Sequence, residues 1–319
     1  MAMLLLILAG LVLLTVGGDI TIRGALAAGR RLKISPLLSG LIIVGFGTSA
    51  PELAVSVDAA LNQQPDIALG NVIGSNISNV LLILGLCALI SPLAVKPLVL
   101  RRDATVGVAG VVLFLLLALG SDLGRWDAVV LLTAFFGYLL WAYWSEQYRA
   151  SPASELHRAE ANAVSGVPRS WWIIGPALVL GIVMLILGSR LLLAGAVALA
   201  QQFGVSEALI GLTLVAVGTS LPELAVSVMA ALRRYADVVV GNVLGSNIFN
   251  VLGILGVSAF LQPLPLSPRI FLFDQWVMLG AALVVLLFLY TGRRLSRLEG
   301  GLLLLGYIAY LLLSFFWLR

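Results

Sequence analysis

The segment G-T-S-A-P-E-L-A-V-S, Gly47 to Ser56, returns as G-T-S-L-P-E-L-A-V-S, Gly218 to Ser227. Each copy sets two hydroxyls and one carboxylate in a strongly apolar stretch: Thr48, Ser49 and Glu52, then Thr219, Ser220 and Glu223. On helical spacing the threonine and the glutamate share a face, with the serine close to it. Each copy also holds a proline, Pro51 or Pro222, which has no N–H and whose ring clashes with the carbonyl four residues back. Both segments are therefore expected to be broken helices. In lipid such a break persists only where it lines a cavity or meets a ligand. A charged carboxylate inside a membrane costs about 3 kcal/mol or more and needs a partner, yet no basic residue lies near either glutamate in sequence.

More oxygen donors follow each break. G-N-V-I-G-S-N-I-S-N runs from Gly70 to Asn79, and G-N-V-L-G-S-N-I-F-N from Gly241 to Asn250. Asn71, Ser75 and Asn79 step by four along one helix face, as do Asn242, Ser246 and Asn250. Gly74 and Gly245 allow close helix contact. Ser75, Asn79, Ser246 and Asn250 read as ligands. For Asn71, Asn76, Asn242 and Asn247, ligation is balanced against hydrogen bonding between membrane helices. Two acids brought together repel, and a cation relieves that repulsion. A donor set of oxygens without His or Cys favours hard ions, Ca²⁺ or Na⁺, over zinc or copper. The duplicated carboxylates thus point to one cation site, half from each copy.

The elements that must position these groups are membrane helices. The chain is 61% hydrophobic and only 11% charged, with a mean hydropathy of +1.09; a soluble domain is roughly a quarter charged. The fold class expected is an all-α membrane protein. Ten spans, each near the ~20 residues a bilayer needs, are expected near 2–27, 36–61, 66–90, 104–120, 126–145, 171–199, 206–232, 238–261, 273–290 and 300–317. The N-terminus lacks a basic region and a small-residue cleavage site, so it reads as the first span. Fifteen of the 19 basic residues fall in alternate loops. This places those loops, including 146–170, in the cytoplasm and both termini outside. Scattered loop charges of this kind do not indicate nucleic acid as a partner. Lipid is the expected surroundings, and no obligate protein partner is inferred. Cys87 is alone, which excludes a disulfide within the chain. His157, the one histidine, lies in the polar linker, so no base is available for Ser49, and no H-E-x-x-H appears. The chain does not read as an enzyme and no cofactor is expected.

Adding 171 to a position in the first half finds its mate in the second. Gly47–Val80 and Gly218–Val251 share 23 of 34 residues. The division expected is residues 1–145, a linker 146–170, and residues 171–319. Five spans is an odd number, so the second copy crosses the membrane in the opposite sense. Inverted repeats with a midplane site between them typify secondary transporters. Asp19 and Arg190 are repeat mates and candidates for an ion pair, against the cheaper option of reaching opposite interfaces. Asp58, opposite Met229, is expected to face water near a helix end.

At these residues the sequence resembles the cation/calcium exchanger superfamily, in its sodium/calcium exchanger branch of prokaryotic type. G-T-S-x-P-E followed by G-N-V-x-G-S-N-I is similar to that family's paired repeats, and the resemblance covers the whole chain. It implies alternating access, with Na⁺ entry driving Ca²⁺ extrusion across the cytoplasmic membrane. It implies ion coordination by Thr48, Ser49, Glu52, Ser75 and Asn79, by Thr219, Ser220, Glu223, Ser246 and Asn250, and by the carbonyls of Gly45 and Ala216. It also implies that the first and sixth spans form a sliding gate. Some members, notably the potassium-dependent branch, carry an acid where this chain has Asn250, which argues against potassium co-transport. Two carboxylates balance one Ca²⁺ or two Na⁺. The alternative is an H⁺/Ca²⁺ exchanger, with the two acids as proton carriers.

Overall fold

The computed structural model describes residues 2–94, 100–120, 122–147, 170–203 and 218–317. It is helical throughout, apart from four two-residue strands. Among the described residues eight helices are long and apolar enough to cross a membrane: α1 (Ala2–Leu32), α4 (Pro65–Ile90), α5 (Arg102–Gly120), α6 (Arg125–Gln147), α7 (Trp171–Gln202), α9 (Ala236–Leu261), α10 (Ile270–Gly292) and α11 (Arg297–Trp317). The pair α2 (Pro36–Thr48) and α3 (Ala50–Leu61), which meet at 44°, is together long and apolar enough to count as a ninth. The shorter helix α8, Leu221–Leu232, is the second half of the expected span 206–232. Residues 206–217 of that span, Ala216 among them, lie outside the described residues, as do His157 and most of the linker.

The break falls where the proline chemistry requires. Ser49 leaves helical geometry at φ −83° and ψ 8°, and Ser220 does so at φ −85° and ψ 7°. Pro51 and Pro222 then occupy the first turn of the next helix, where a missing N–H costs nothing. Upstream, Ser35 caps α2 by accepting from the Leu38 N–H at 3.1 Å. After α3 the chain turns through Gln63 at φ 57°, and after α8 through its mate Arg234 at φ 60°. In both turns an N–H bonds five residues back, Gln64 to Ala59 and Tyr235 to Ala230, each at 2.8 Å.

Two helices form the centre. In their most apolar stretches α4 is 72% and α9 89% buried, against 22–39% for the other long spans. Glycines bring α9 against the first half of the broken span. A Cβ on Gly45 would lie 3.0 Å from the Ser246 nitrogen, and one on Gly245 would collide with the Leu41 carbonyl. We expect Gly245→Ala to cost about 1–3 kcal/mol by overpacking, read as a lower Tm of the purified protein.

Helices α1 and α7 pair along their length. Gly10 meets Gly188, and Gly17 meets Gly181, with added Cβ atoms falling 2.8–3.1 Å from the facing carbonyls. The two helices therefore run antiparallel. This crossing separates Asp19 from Arg190, because Arg190 lies opposite the region of residue 8. At 1.5 Å per residue the offset is about 16 Å. Asp19 instead pairs with Arg23 at 2.9 Å and with Arg233 after α8. Asp58 is exposed near the end of α3.

The strands are β1 (Leu93–Ala94), β2 (Asp122–Leu123), β3 (Leu264–Pro265) and β4 (Arg294–Leu295). They pair antiparallel as β1 with β4 and β2 with β3. Each half thus ties to the other at both places.

Candidate cation site

The two broken helices and the two central helices bring most of the expected residues into one buried cluster. Glu52 is fully buried and Glu223 is 1% exposed, and they lie within electrostatic range of each other. Among the described residues neither makes an ion pair. Glu223 Oε1 accepts from the Ser49 hydroxyl at 2.8 Å, across the two halves. Ser220, the mate of Ser49, lies beside Glu52.

Each glutamate is held by its backbone. Asn71 donates to the Glu52 carbonyl at 3.1 Å and to Ser56 Oγ at 2.9 Å. Asn242 repeats this with the Glu223 carbonyl at 3.3 Å and Ser227 Oγ at 2.9 Å. These two asparagines tie the central helices to the broken ones, as the helix-joining option has it. Ser56 and Ser227, their acceptors, were not singled out from sequence, although both lie in the repeated block.

Thr48 is buried, with its hydroxyl 3.0 Å from the Val44 carbonyl and 3.3 Å from Asn242 Oδ1. Ser246 donates to the Gly45 carbonyl at 3.1 Å, again across the halves. Thr219 is half-buried beside the second break.

Among the described residues, seven buried oxygens in this cluster make no well-formed hydrogen bond: Oε1 and Oε2 of Glu52, Oε2 of Glu223, the hydroxyls of Ser75 and Ser220, of which Ser220 faces Glu52, and Oδ1 of Asn79 and Asn250. Buried polar atoms are nearly always satisfied. Here both halves contribute unsatisfied acceptors, three of them carboxylate oxygens. The chemistry they offer is a set of hard oxygen donors that includes both carboxyl groups, which fits Na⁺ or Ca²⁺.

Fold and cluster together define a polytopic helical membrane protein with a buried, acidic, oxygen-lined cluster at two helix breaks. The chain matches the sodium/calcium exchanger protein family over residues 2–144 and again over 174–316. It is 40% identical over 313 residues to the putative antiporter CaxA of Alkalimonas amylolytica, covering 97% of both chains. It is 33% identical to the sodium/calcium exchanger MaX1 of Methanosarcina acetivorans over 98% of both. Among solved structures, the sodium-calcium exchanger NCX_Mj soaked free of Na⁺ and Ca²⁺ superposes with a TM-score of 0.81. That match is 31% identical and covers 100% of this chain and 99% of the other. The protein belongs to the sodium/calcium exchanger family.

Proposed function

We propose that the protein is a secondary antiporter exchanging Na⁺ for Ca²⁺ across the cytoplasmic membrane by alternating access. The observation that carries this reading is the set of buried oxygens on Glu52, Glu223, Ser75, Ser220, Asn79 and Asn250 without a well-formed hydrogen bond, with no ion pair to either glutamate among the described residues. Thr48, Ser49, Thr219 and Ser246, with the carbonyls of Gly45 and Ala216, complete the proposed coordination. Ca²⁺ and Na⁺ compete for overlapping oxygens, so each displaces the other and uncoupled leak is suppressed.

The proposed frame is ten spans in two inverted five-helix repeats, residues 1–145 and 171–319, with the midplane site between them. Strand pairing supports the count. Strands β2 and β3 share a membrane face, so the chain crosses an even number of times between them. Helices α6, α7 and α9 account for three crossings, and an even number calls for a fourth between α7 and α9, where α8 lies. The antiparallel pairing of the repeat mates α1 and α7 supports the inversion. The excess of basic residues in alternate loops supports a cytoplasmic linker and external termini.

A second reading, H⁺/Ca²⁺ exchange, is favoured by the same two acids: without a basic partner, each can hold a proton and the pair would titrate together. The test is ⁴⁵Ca²⁺ uptake into proteoliposomes loaded with Na⁺ and diluted into Na⁺-free buffer. Uptake is expected to need the outward Na⁺ gradient and to be absent from K⁺-loaded vesicles. Uptake driven by an imposed pH gradient alone would move the protein to proton coupling.

A further inference from the structure

A side-chain amide has two ends of almost equal shape, one a donor and one an acceptor. Asn79 and Asn250 serve a cation only if their oxygens face it. Asn76 and Asn247, also repeat mates, decide which end does so. Asn76 Nδ2 lies 3.4 Å from the main-chain carbonyl of Asn247, and Asn247 Nδ2 lies 3.4 Å from that of Asn76. A carbonyl only accepts, so both amides must turn their NH₂ groups toward the backbone. Met278 Sδ, a weak acceptor 3.6 Å from Asn76 Nδ2, fits the same orientation. The oxygens of Asn76 and Asn247 are then fixed at the opposite ends. Asn76 Oδ1 accepts from Asn250 Nδ2 at 3.1 Å, and Asn247 Oδ1 accepts from Asn79 Nδ2 at 3.0 Å. The NH₂ ends of Asn79 and Asn250 are thereby held toward these acceptors. What remains on each is Oδ1, buried and without a partner.

We infer that Asn76 and Asn247 are positioning residues: two main-chain carbonyls set their orientation, and they in turn hold Asn79 and Asn250 with oxygen toward the ion. Reversing any one amide would set donor against donor or acceptor against acceptor. The relay crosses between α4 and α9 twice, so each half of the protein fixes the polarity of the other half's ligand. It rests on the cation-site reading above and names what gives that site its sign.

The test is equilibrium ⁴⁵Ca²⁺ binding to the purified full chain, wild type and variants. Asn247→Ala is expected to weaken binding about tenfold, the scale of one lost hydrogen-bonded ligand. Asn79→Ala should do the same. The double variant should be no weaker than Asn79→Ala alone, to within about threefold, because Asn247 acts only through Asn79. Losses that multiply in the double variant, or wild-type affinity in Asn247→Ala, would overturn the inference. The pair Asn76 and Asn250 supplies a second, mirror cycle with the same expectation. Asn247→Ser and Asn76→Ser, too short to reach the ligand amides, replace the alanine variants wherever those do not give folded protein. Wild-type protein that binds no ⁴⁵Ca²⁺, or Glu52→Gln that binds like wild type, overturns the underlying site reading instead. Loss in Glu52→Gln together with unchanged binding in Asn247→Ala overturns the relay alone.

Discussion

Replacing either glutamate, Glu52→Gln or Glu223→Gln, is expected to abolish Ca²⁺ uptake while the protein still folds. Among the described residues the two carboxylates are the only acids in the cluster, and glutamine removes one of them without changing shape. Loss of a direct charge–charge partner in a buried site is worth several kcal/mol, so uptake should fall by at least ~100-fold. The fold should survive because Glu52 makes no ion pair among the described residues and its side-chain neighbour, Ser220, is a neutral hydroxyl that a glutamine amide can also meet. Added Ca²⁺ separates binding from folding. At about 100 times its Kd, Ca²⁺ should stabilise wild type by about 2.7 kcal/mol and leave either variant unmoved. Wild-type exchange in either variant would show that the carboxylates do not hold the ion.

The site was legible because its residue types are out of place. Carboxylates and prolines in apolar runs violate the rules of a membrane helix, and the violation occurs twice at a fixed offset. The breaks at Ser49 and Ser220 follow from proline chemistry alone. Helix ends were less visible. The helix α11 starts at Arg297, before the expected position 300, because the Glu299 carboxylate accepts from the Ser296 N–H at 2.7 Å and builds a capping box there. The left-handed turns at Gln63 and Arg234 carry no glycine to announce them. Asn71 and Asn76 are five residues apart in one motif, yet they do different things. Asn71 meets the neighbouring broken helix and Asn76 meets the opposite half, a distinction that depends on helix packing rather than spacing. The Asp19–Arg190 pairing failed for a related reason. A repeat offset identifies equivalent positions, and equivalent positions on antiparallel helices need not be neighbours.

A second large effect is expected far from the ion, at a buried ion pair that the sequence left among ordinary loop charges. Arg102 is 1% exposed and Asp103 fully buried, at the start of α5. The guanidinium grips both carboxylate oxygens, Nε to Oδ1 at 2.6 Å and an NH₂ group to Oδ2 at 3.1 Å. It also donates to the Ala142 carbonyl at 3.2 Å and to Ser145 Oγ at 2.7 Å on α6. The Tyr138 hydroxyl donates to Asp103 Oδ1 at 2.8 Å. The repeat mate Asp274 keeps a tyrosine, Tyr310 at 3.1 Å, but draws its arginine from Arg269, which is 28% exposed. Arg102→Met should therefore cost about 3–5 kcal/mol by stranding a buried carboxylate. Arg269→Met, at the more exposed pair, should cost only about 1 kcal/mol. Replacing the three together, Arg102→Met with Asp103→Leu and Tyr138→Phe, should recover most of the loss, because Asp103 is then not left as a stranded buried charge. These hydrogen bonds stay within α5 and α6, so the affinity for ⁴⁵Ca²⁺ should change by less than about twofold wherever the protein folds. Thermal melting in detergent beside equilibrium binding checks both halves of the expectation. A loss of Ca²⁺ affinity in the stable triple variant would tie this cluster to the ion site and refute its purely structural role.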